Sequence, residues 1–256
     1  MIWIELLGPS GVGKSYWYQK FIEKYPEYEI NGLVLNRIRY SLAYKDRPFY
    51  IKIFFFLYRL GIPKLKTFAR QILLDYYSRN FEKKDKNLYT EADEKIIKTY
   101  LEAVQQANEP YIILLKKIEY FASQLRKFKF YGFYLKEDDI YLAEDGLQHL
   151  SPVYFKDLQT DAYLVLEKNL SSIIDQRLHR AKNKPSTFTE FLLSPEDLKA
   201  NIEYYFIQYQ KKIETIEQNQ KEDIILKIDT EKGDVIKIIF EKIQQVKNKG
   251  RKSVNI

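Results

Sequence analysis

Residues 8–15 read Gly8-Pro9-Ser10-Gly11-Val12-Gly13-Lys14-Ser15, which matches the pattern GxxxxGK[ST] in full. An apolar run at residues 2–7 predicts a buried strand before this stretch, and residues 15 to about 25 have the spacing of a helix. Glycines let the backbone approach an anion closely, and the first N–H groups of a helix point toward it. The stretch therefore predicts a phosphate-binding loop whose eight residues contact a nucleotide.

Two side chains of this loop carry the predicted chemistry. Lys14 is expected to reach the β and γ phosphate oxygens of a nucleoside triphosphate, and Ser15 to place its hydroxyl on Mg²⁺. Lys14 is therefore a predicted catalytic residue and Ser15 a predicted metal ligand.

The composition narrows the class of protein. With 256 residues, of which 45% are hydrophobic, the chain is long enough for one α/β domain over residues 1–256. It has no cysteine, which excludes disulfides and cysteine nucleophiles, and its two histidines, His149 and His179, are too few for most His-based metal sites. The absence of a basic leader, and of any apolar run of about 20 residues, predicts a cytoplasmic protein.

The net charge of +7 raises the possibility of a nucleic-acid partner. The lysines are, however, scattered among nearly as many acids, and the one dense basic cluster is the tail at residues 247–252. This distribution favours a solvated, lysine-rich surface over a nucleic-acid interface.

The order of apolar segments predicts the fold class. Strands that alternate with helices indicate a parallel sheet covered on both faces. A long stretch, about residues 40–131, lacks strand alternation and predicts a helical insert between the second and third strands. The prediction is a five-stranded parallel sheet flanked by helices, with strands at residues 2–7, 33–36, 140–143, 162–166 and 224–228.

An acidic pair follows the third predicted strand. Glu144 and Asp145 come directly after residues 140–143, and the carboxyl ends of parallel strands line the ligand crevice of such sheets. We predict Glu144 as the general base and Asp145 as the Mg²⁺ partner, although the two roles could be exchanged. The alternative is a solvated turn, since acids are common at strand ends.

Two arginines lie three residues apart in a basic segment at residues 175–184. Arg177 and Arg180 point the same way on a helix and suit the spread negative charge of a phosphoryl group in transfer. The alternative is a basic helix end that complements the helix dipole.

Together, the loop, the helical insert, the acidic strand end and the R-x-x-R helix resemble the nucleoside and nucleotide kinase branch of P-loop proteins. The resemblance implies a five-stranded parallel sheet, ATP and Mg²⁺ as ligands, and phosphorylation of a hydroxyl or a phosphate. It also implies a lid over about residues 175–190 that supplies Arg177 and Arg180. The loop sequence itself is similar to that of guanylate kinases. The chain has neither the LSGGQ-like signature of ABC-type ATPases nor an NKxD-like guanine motif.

The acceptor is less defined by the sequence. Arg37 and Arg39, after the predicted second strand, would suit an acceptor that bears phosphate or carboxylate. A loose similarity to P-loop kinases of polysaccharide biosynthesis favours a small molecule or glycan, with a saccharide ranked first. A nucleoside or nucleotide kinase and a nucleotide-driven regulatory ATPase are the alternatives.

An aromatic segment at residues 49–60 is apolar nearly all round. It predicts either a buried core helix or a face that contacts a membrane peripherally, with Lys52, Arg59, Lys64 and Lys66 near the headgroups.

Overall fold

The fold is an α/β architecture built on a parallel sheet. A computed structural model describes residues 1–40, 47–84, 89–105, 111–144, 146–147, 160–185, 190–191, 193–219 and 224–253. Within these residues the sheet has four strands: β1 (Ile2–Leu7), β2 (Ile140–Ala143), β3 (Ala162–Glu167) and β4 (Ile225–Asp229). All pairs are parallel, and the strand order is β2-β1-β3-β4.

The register places β1 at the centre of the sheet. Ile4 lies opposite Leu142 of β2 and Ala162 of β3, and all three side chains are buried. Strands buried on both faces require continuous apolar sequence, which is why β1, β2 and β3 lack a polar alternation. The four strand positions predicted at residues 2–7, 140–143, 162–166 and 224–228 are confirmed within a residue.

Helices account for most of the remaining described chain. Their bounds are α1 (Lys14–Lys24), α2 (Ile30–Tyr40), α3 (Phe49–Arg59), α4 (Pro63–Lys84), α5 (Glu91–Gln105), α6 (Tyr111–Tyr134), α7 (Leu170–Asn183), α8 (Pro195–Asn219) and α9 (Val235–Ser253). A short 3-10 turn at Pro26–Tyr28 joins α1 to α2.

Alternate side chains of β1 point to two different layers. Ile4 and Leu6 pack against α1 and α9 through residues such as Phe21 and Ile239. On the other face Trp3 packs against α2 to α6, while Leu7 packs against α8. Helices therefore cover both faces of the sheet.

The predicted second strand at residues 33–36 is wrong, because these residues lie inside α2. Ile30, Val34 and Ile38 are buried at helical spacing on one side of α2. The pair Asn31-Gly32, which suggests a turn, forms the first turn of the helix, where the Glu29 carboxylate accepts a hydrogen bond from the Gly32 N–H at 3.1 Å. The described sheet thus has four strands instead of five, and helix follows helix from residue 14 to residue 134 wherever the chain is described.

None of the helices in the described ranges combines the length and the apolarity needed to cross a bilayer.

Candidate functional site

The glycine loop joins the central strand to the first helix, as its sequence predicts. β1 ends at Leu7, and α1 begins at Lys14 with Gly13 as its N-cap. Gly11 and Gly13 have φ angles of +98° and +93°, a region that other L-residues avoid. Inside the loop the Val12 N–H donates to the Pro9 carbonyl at 3.1 Å. The loop therefore lies at the carboxyl edge of the sheet, over the start of α1.

Close packing fixes this loop on two sides. A β-carbon at Gly8 would lie 2.6 Å from Cγ1 of Val12 and 3.4 Å from Cβ of Leu166 in β3. A β-carbon at Gly11 would lie 2.8 Å from Cδ of Arg177, whereas at Gly13 the nearest atom, in Trp17, would be 3.5 Å away. Gly8 and Gly11 are thus required by space, and Gly13 by its backbone conformation.

The two arginines of the predicted lid meet at one buried carboxylate, Glu190. Arg177 Nε donates to Glu190 Oε1 at 3.2 Å, and Arg180 Nε donates to both carboxylate oxygens at 3.0 Å. The side chains of Arg177 and Glu190 are 3% and 0% exposed, whereas Arg180 is 33% exposed. The structure therefore brings Arg177 against the loop and holds both guanidiniums through Glu190, a residue that the sequence did not single out. The predicted contact of these arginines with phosphate stays a prediction.

Glu144 lies at the same sheet edge as the loop. It directly follows β2, the neighbour of β1, and is half-buried. Burial raises the pKa of Tyr18 on α1, and the nearby charges of Glu29 and Glu144 raise it further. Glu144 is therefore close to the helix that starts at Lys14. Asp145, the predicted Mg²⁺ partner, lies outside the described residues.

A cleft of about 260 Å³ opens beside the loop. Its walls come from five parts of the chain at the carboxyl edge: the loop, α1, the segment after β3, α7 and the segment after β4. Lys168 donates from Nζ to Gln176 Oε1 at 2.8 Å, and Thr230 donates from N and Oγ1 to the Glu167 carbonyl at 3.0 and 2.9 Å. The lining residues are Val12, Gly13, Tyr16, Trp17, Lys168, Gln176 and Thr230.

A second group of polar side chains lies where the insert meets α1, and we call it the insert cluster: Glu29, Asn31, Tyr58, Arg70 and Tyr131. Arg70 Nη1 donates to Glu29 Oε1 at 2.9 Å, and the Tyr131 hydroxyl donates to Asn31 Oδ1 at 2.8 Å. A β-carbon at Gly32 would lie 2.7 Å from Glu29 Oε2 and 3.2 Å from the Tyr58 hydroxyl, so glycine there lets these two groups approach.

The insert cluster combines buried and accessible groups. Burial raises the pKa of Tyr131 to about 12, and the charge of Glu29 adds to the shift while Arg70 opposes it. Glu29 and Arg70 remain 22% and 33% exposed, so a solute can reach the ion pair. The charges of Glu29 and Glu144 both raise the pKa of Tyr18, so the cluster and Glu144 lie near the same side chain of α1. No sequence pattern links these residues, because they come from four helices and the residue that precedes α2.

The predicted acceptor residues Arg37 and Arg39 lie elsewhere. Arg37 Nε donates to Asp139 Oδ2 at 3.0 Å, and Asp139 directly precedes β2. The amino ends of parallel strands lie at the edge opposite the loop, so the structure does not bring Arg37 to the candidate site. Arg39 lies in the last turn of α2 with its guanidinium 5.2 Å from the Tyr40 ring centroid.

β1 also contains a buried carboxylate, Glu5, that is not among the predicted site residues. Glu5 is 0% exposed, and a β-carbon at Gly146 would overlap its carboxyl carbon. Burial lowers the pKa of Lys212 on α8 to about 8, and the charge of Glu5 opposes this shift. The sequence does contain a signal for this buried carboxylate: Glu5 is a single acid within an otherwise apolar strand.

Neither metal-ligating side chains nor known relatives narrow the function of the protein further. Within the described ranges, no three His, Asp or Glu side chains converge in a way that could hold a metal ion. Comparisons of the chain with protein-family models, curated proteins and solved structures found no match. A functional conclusion therefore depends on the geometry of the loop, the cleft and the insert cluster.

Proposed function

We propose that this protein is an ATP- and Mg²⁺-dependent phosphotransferase that acts on a hydroxyl group of a small molecule or glycan. The observation that carries the proposal is the loop of residues 8–15: it joins a buried central strand to a helix that starts at Lys14, with positive φ at Gly11 and Gly13. This is the context in which backbone N–H groups and a helix dipole bind phosphate.

The residues around the loop fit a nucleoside triphosphate with its metal. Lys14 and the loop N–H groups would hold the phosphates, and Ser15 with Asp145 would hold Mg²⁺, which neutralises charge on the phosphates. The cleft of about 260 Å³ is smaller than a complete ligand site of about 300–1,000 Å³, so it suits the base or the ribose alone. Tyr16, which is 56% exposed at its rim, offers a face for stacking.

The proposed reaction transfers the γ-phosphoryl group to the acceptor. The acceptor oxygen attacks the γ phosphorus, the bond from that phosphorus to the bridging oxygen breaks, and ADP leaves with the electron pair. Glu144 is the proposed base for the hydroxyl proton, because it follows β2 at the edge where the loop lies. Of the two lid arginines, the more exposed Arg180 is the one we expect to turn from Glu190 toward the transferring group.

The insert cluster is the proposed acceptor side. A carboxylate beside a guanidinium, with tyrosine hydroxyls around them, offers donors and acceptors for several hydroxyl groups at once. Glu29 and Arg70 are partly exposed, and the charges of both act on Tyr18 of α1, the helix that follows the loop. A saccharide, with many hydroxyls and no charge, is the acceptor class that we rank first.

The test compares Lys14→Ala with Lys20→Ala, a matched control that removes an exposed lysine from the same helix. The wild-type protein and the control should bind ATP with Mg²⁺ and show faster ATP turnover when an acceptor is added from a panel of sugars, nucleosides and phosphorylated metabolites. Lys14→Ala should lose at least about tenfold in ATP affinity and about a hundredfold in transfer, because a charge-assisted phosphate contact is lost.

Two outcomes would contradict the proposal. Unchanged transfer in a folded Lys14→Ala variant would remove the loop from the active site. Turnover that ignores every small acceptor and rises only with a protein or nucleic acid would support the regulatory ATPase instead.

A further inference from the structure

The hairpin of α3 and α4 exposes an unusual apolar surface. On α3 the inner side is buried at Ile51 and Phe55, but Phe49 and Phe56 on the outer side are 79% and 62% exposed. The exposure continues across the turn at Gly61 into the first turns of α4. We call these outward apolar residues the hairpin patch: Phe49, Ile53, Phe56, Leu60, Ile62, Leu65 and Phe68.

The hairpin patch is continuous along the helix. Phe49, Ile53, Phe56 and Leu60 follow each other at intervals of four, three and four residues, which places them in one stripe of a helix. Large apolar side chains scattered singly over a surface need no explanation, whereas a contiguous patch marks a contact site. The buried-helix interpretation of residues 49–60 therefore fits only the inner side of α3.

The charges beside the patch have one sign. Lys52, Arg59, Lys64 and Lys66 are exposed on the same hairpin. From residue 47 to residue 74 the sequence contains no aspartate or glutamate. Aromatic and aliphatic side chains surrounded by cations, without acids, are the composition of surfaces that insert among anionic lipid headgroups.

We propose that the hairpin patch docks this protein on an anionic lipid surface. A second copy of the chain is the less suitable occupant, because a two-fold contact through this face would bring like charges together. Burial of the aliphatic residues of the patch among lipid acyl chains is favourable, because it removes apolar surface from water. The phosphates of a nucleic acid offer these side chains no apolar contact. The proposal depends on the hairpin alone and not on the proposed kinase activity, so Lys14→Ala should dock like the wild type.

Docking would also orient the candidate acceptor side. The inner side of the hairpin supplies Tyr58 from α3 and Arg70 from α4 to the insert cluster. An acceptor held there would lie near the surface on which the hairpin rests.

The experiment measures flotation of the full chain with two kinds of vesicle, phosphatidylcholine alone and phosphatidylcholine with about 30 mol% phosphatidylserine. The wild type should float with the anionic vesicles, and high salt should weaken its binding. The double variant Phe49→Ser, Phe56→Ser should lose about tenfold or more in partitioning. Its control, Phe133→Ser with Tyr204→Ser, removes two exposed aromatic residues from α6 and α8 and should bind like the wild type.

A second pair of variants separates charge from position. Changing Lys52, Arg59, Lys64 and Lys66 to Gln should abolish the preference for anionic vesicles. Changing Lys95, Lys98, Lys199 and Lys237 to Gln removes the same net charge from other exposed sites and should preserve it.

Three results would overturn the proposal. The first is no vesicle binding by the wild type, and the second is equal loss in the patch variants and their controls. The third is a dimer in sedimentation velocity that the Phe49→Ser, Phe56→Ser variant dissociates, which would assign the patch to self-association. Because the substituted side chains are exposed, the thermal unfolding midpoint should stay unchanged and so separates these results from misfolding.

Discussion

At the scale of single residues, the two glycines of the loop with positive φ, Gly11 and Gly13, tolerate a side chain to different degrees. Both residues have a positive φ angle that L-residues with a side chain rarely adopt. Only at Gly11 would an added β-carbon also meet a close neighbour, Cδ of Arg177 at 2.8 Å. We expect Gly11→Ala to lower the free energy of unfolding by about 2–4 kcal/mol and Gly13→Ala by about 1–2 kcal/mol, because overpacking adds to backbone strain only at Gly11. Urea unfolding of both variants measures the difference.

Arg177→Ala provides the control for this explanation, because it removes the Cγ and Cδ atoms that a β-carbon at Gly11 would meet. In that background Gly11→Ala should cost at least about 1 kcal/mol less than in the wild type, as a double-mutant cycle would report. Additive costs would mean that Arg177 does not contribute, and that backbone strain together with the contact to Cγ2 of Ile173 at 3.1 Å decides the effect at Gly11.

The loop could be predicted from the sequence because its signal is local: eight consecutive residues determine its shape. Glu190 and Arg70 could not, because their importance comes from partners in other elements. Glu190 binds Arg177 and Arg180 across 13 and 10 residues, and Arg70 binds Glu29 across 41. A lone sequence contains no record of which acid meets which base.

At the scale of elements, α2 shows why a short apolar run cannot be assigned from its own residues. The segment at residues 33–36 is apolar at three consecutive positions, which fits a strand or a buried helix equally. The longer pattern of Ile30, Val34 and Ile38 decides for a helix, because it gives α2 one buried face toward the insert. The strands around β1 were predictable because they are buried on both sides.

The ion pair between Arg37 and Asp139 anchors α2 to the start of β2. Burial acts to raise the pKa of Asp139, but hydrogen bonds from Arg37 and the Lys136 N–H outweigh it and lower the pKa below its ordinary value of 3.8. A carboxyl whose folded pKa is lowered stabilises the protein above its unfolded pKa and loses this contribution as the pH falls. Asp139→Asn should therefore lower the free energy of unfolding by about 1–3 kcal/mol at pH 7.

The deficit of Asp139→Asn should shrink as the pH falls below 3.8, because the unfolded wild-type chain then binds a proton at Asp139 that the folded chain takes up only at lower pH. Asp138→Asn is the matched control, since it removes an exposed acid from the neighbouring position. Urea titrations at neutral and acidic pH measure both variants. A deficit that does not change with pH would assign the loss to packing and not to charge.

At the scale of the whole molecule, buried and partly buried tyrosines and one partly buried lysine give stability opposite dependences on alkaline pH. Burial raises the pKa of Tyr131 from 10.0 to about 12, and it also raises the pKa values of Tyr18 and Tyr209. Their stabilising contribution is complete below pH 10 and is lost as the pH rises above it. Lys212, with its pKa lowered from 10.5 to about 8, has the reverse effect.

Lys212 should therefore determine how stability changes between pH 8 and pH 10.5. In that interval the unfolded chain holds the Lys212 proton and the folded chain has lost it, so this residue makes the free energy of unfolding rise with pH, by at most about 1.4 kcal/mol per pH unit.

Lys212→Met removes the titrating group, and urea unfolding from pH 7.5 to pH 9.5 should show this rise in the wild type relative to the variant. Lys211→Met, at the exposed neighbouring position, should follow the wild type throughout. Removing the lysine also leaves Glu5 buried without this cation, and burial disfavours the charged form of a carboxyl, so the same comparison made in a Glu5→Gln background isolates the slope that belongs to Lys212. Parallel curves for the wild type and Lys212→Met would mean that Lys212 keeps its ordinary pKa and that α8 holds it in contact with solvent.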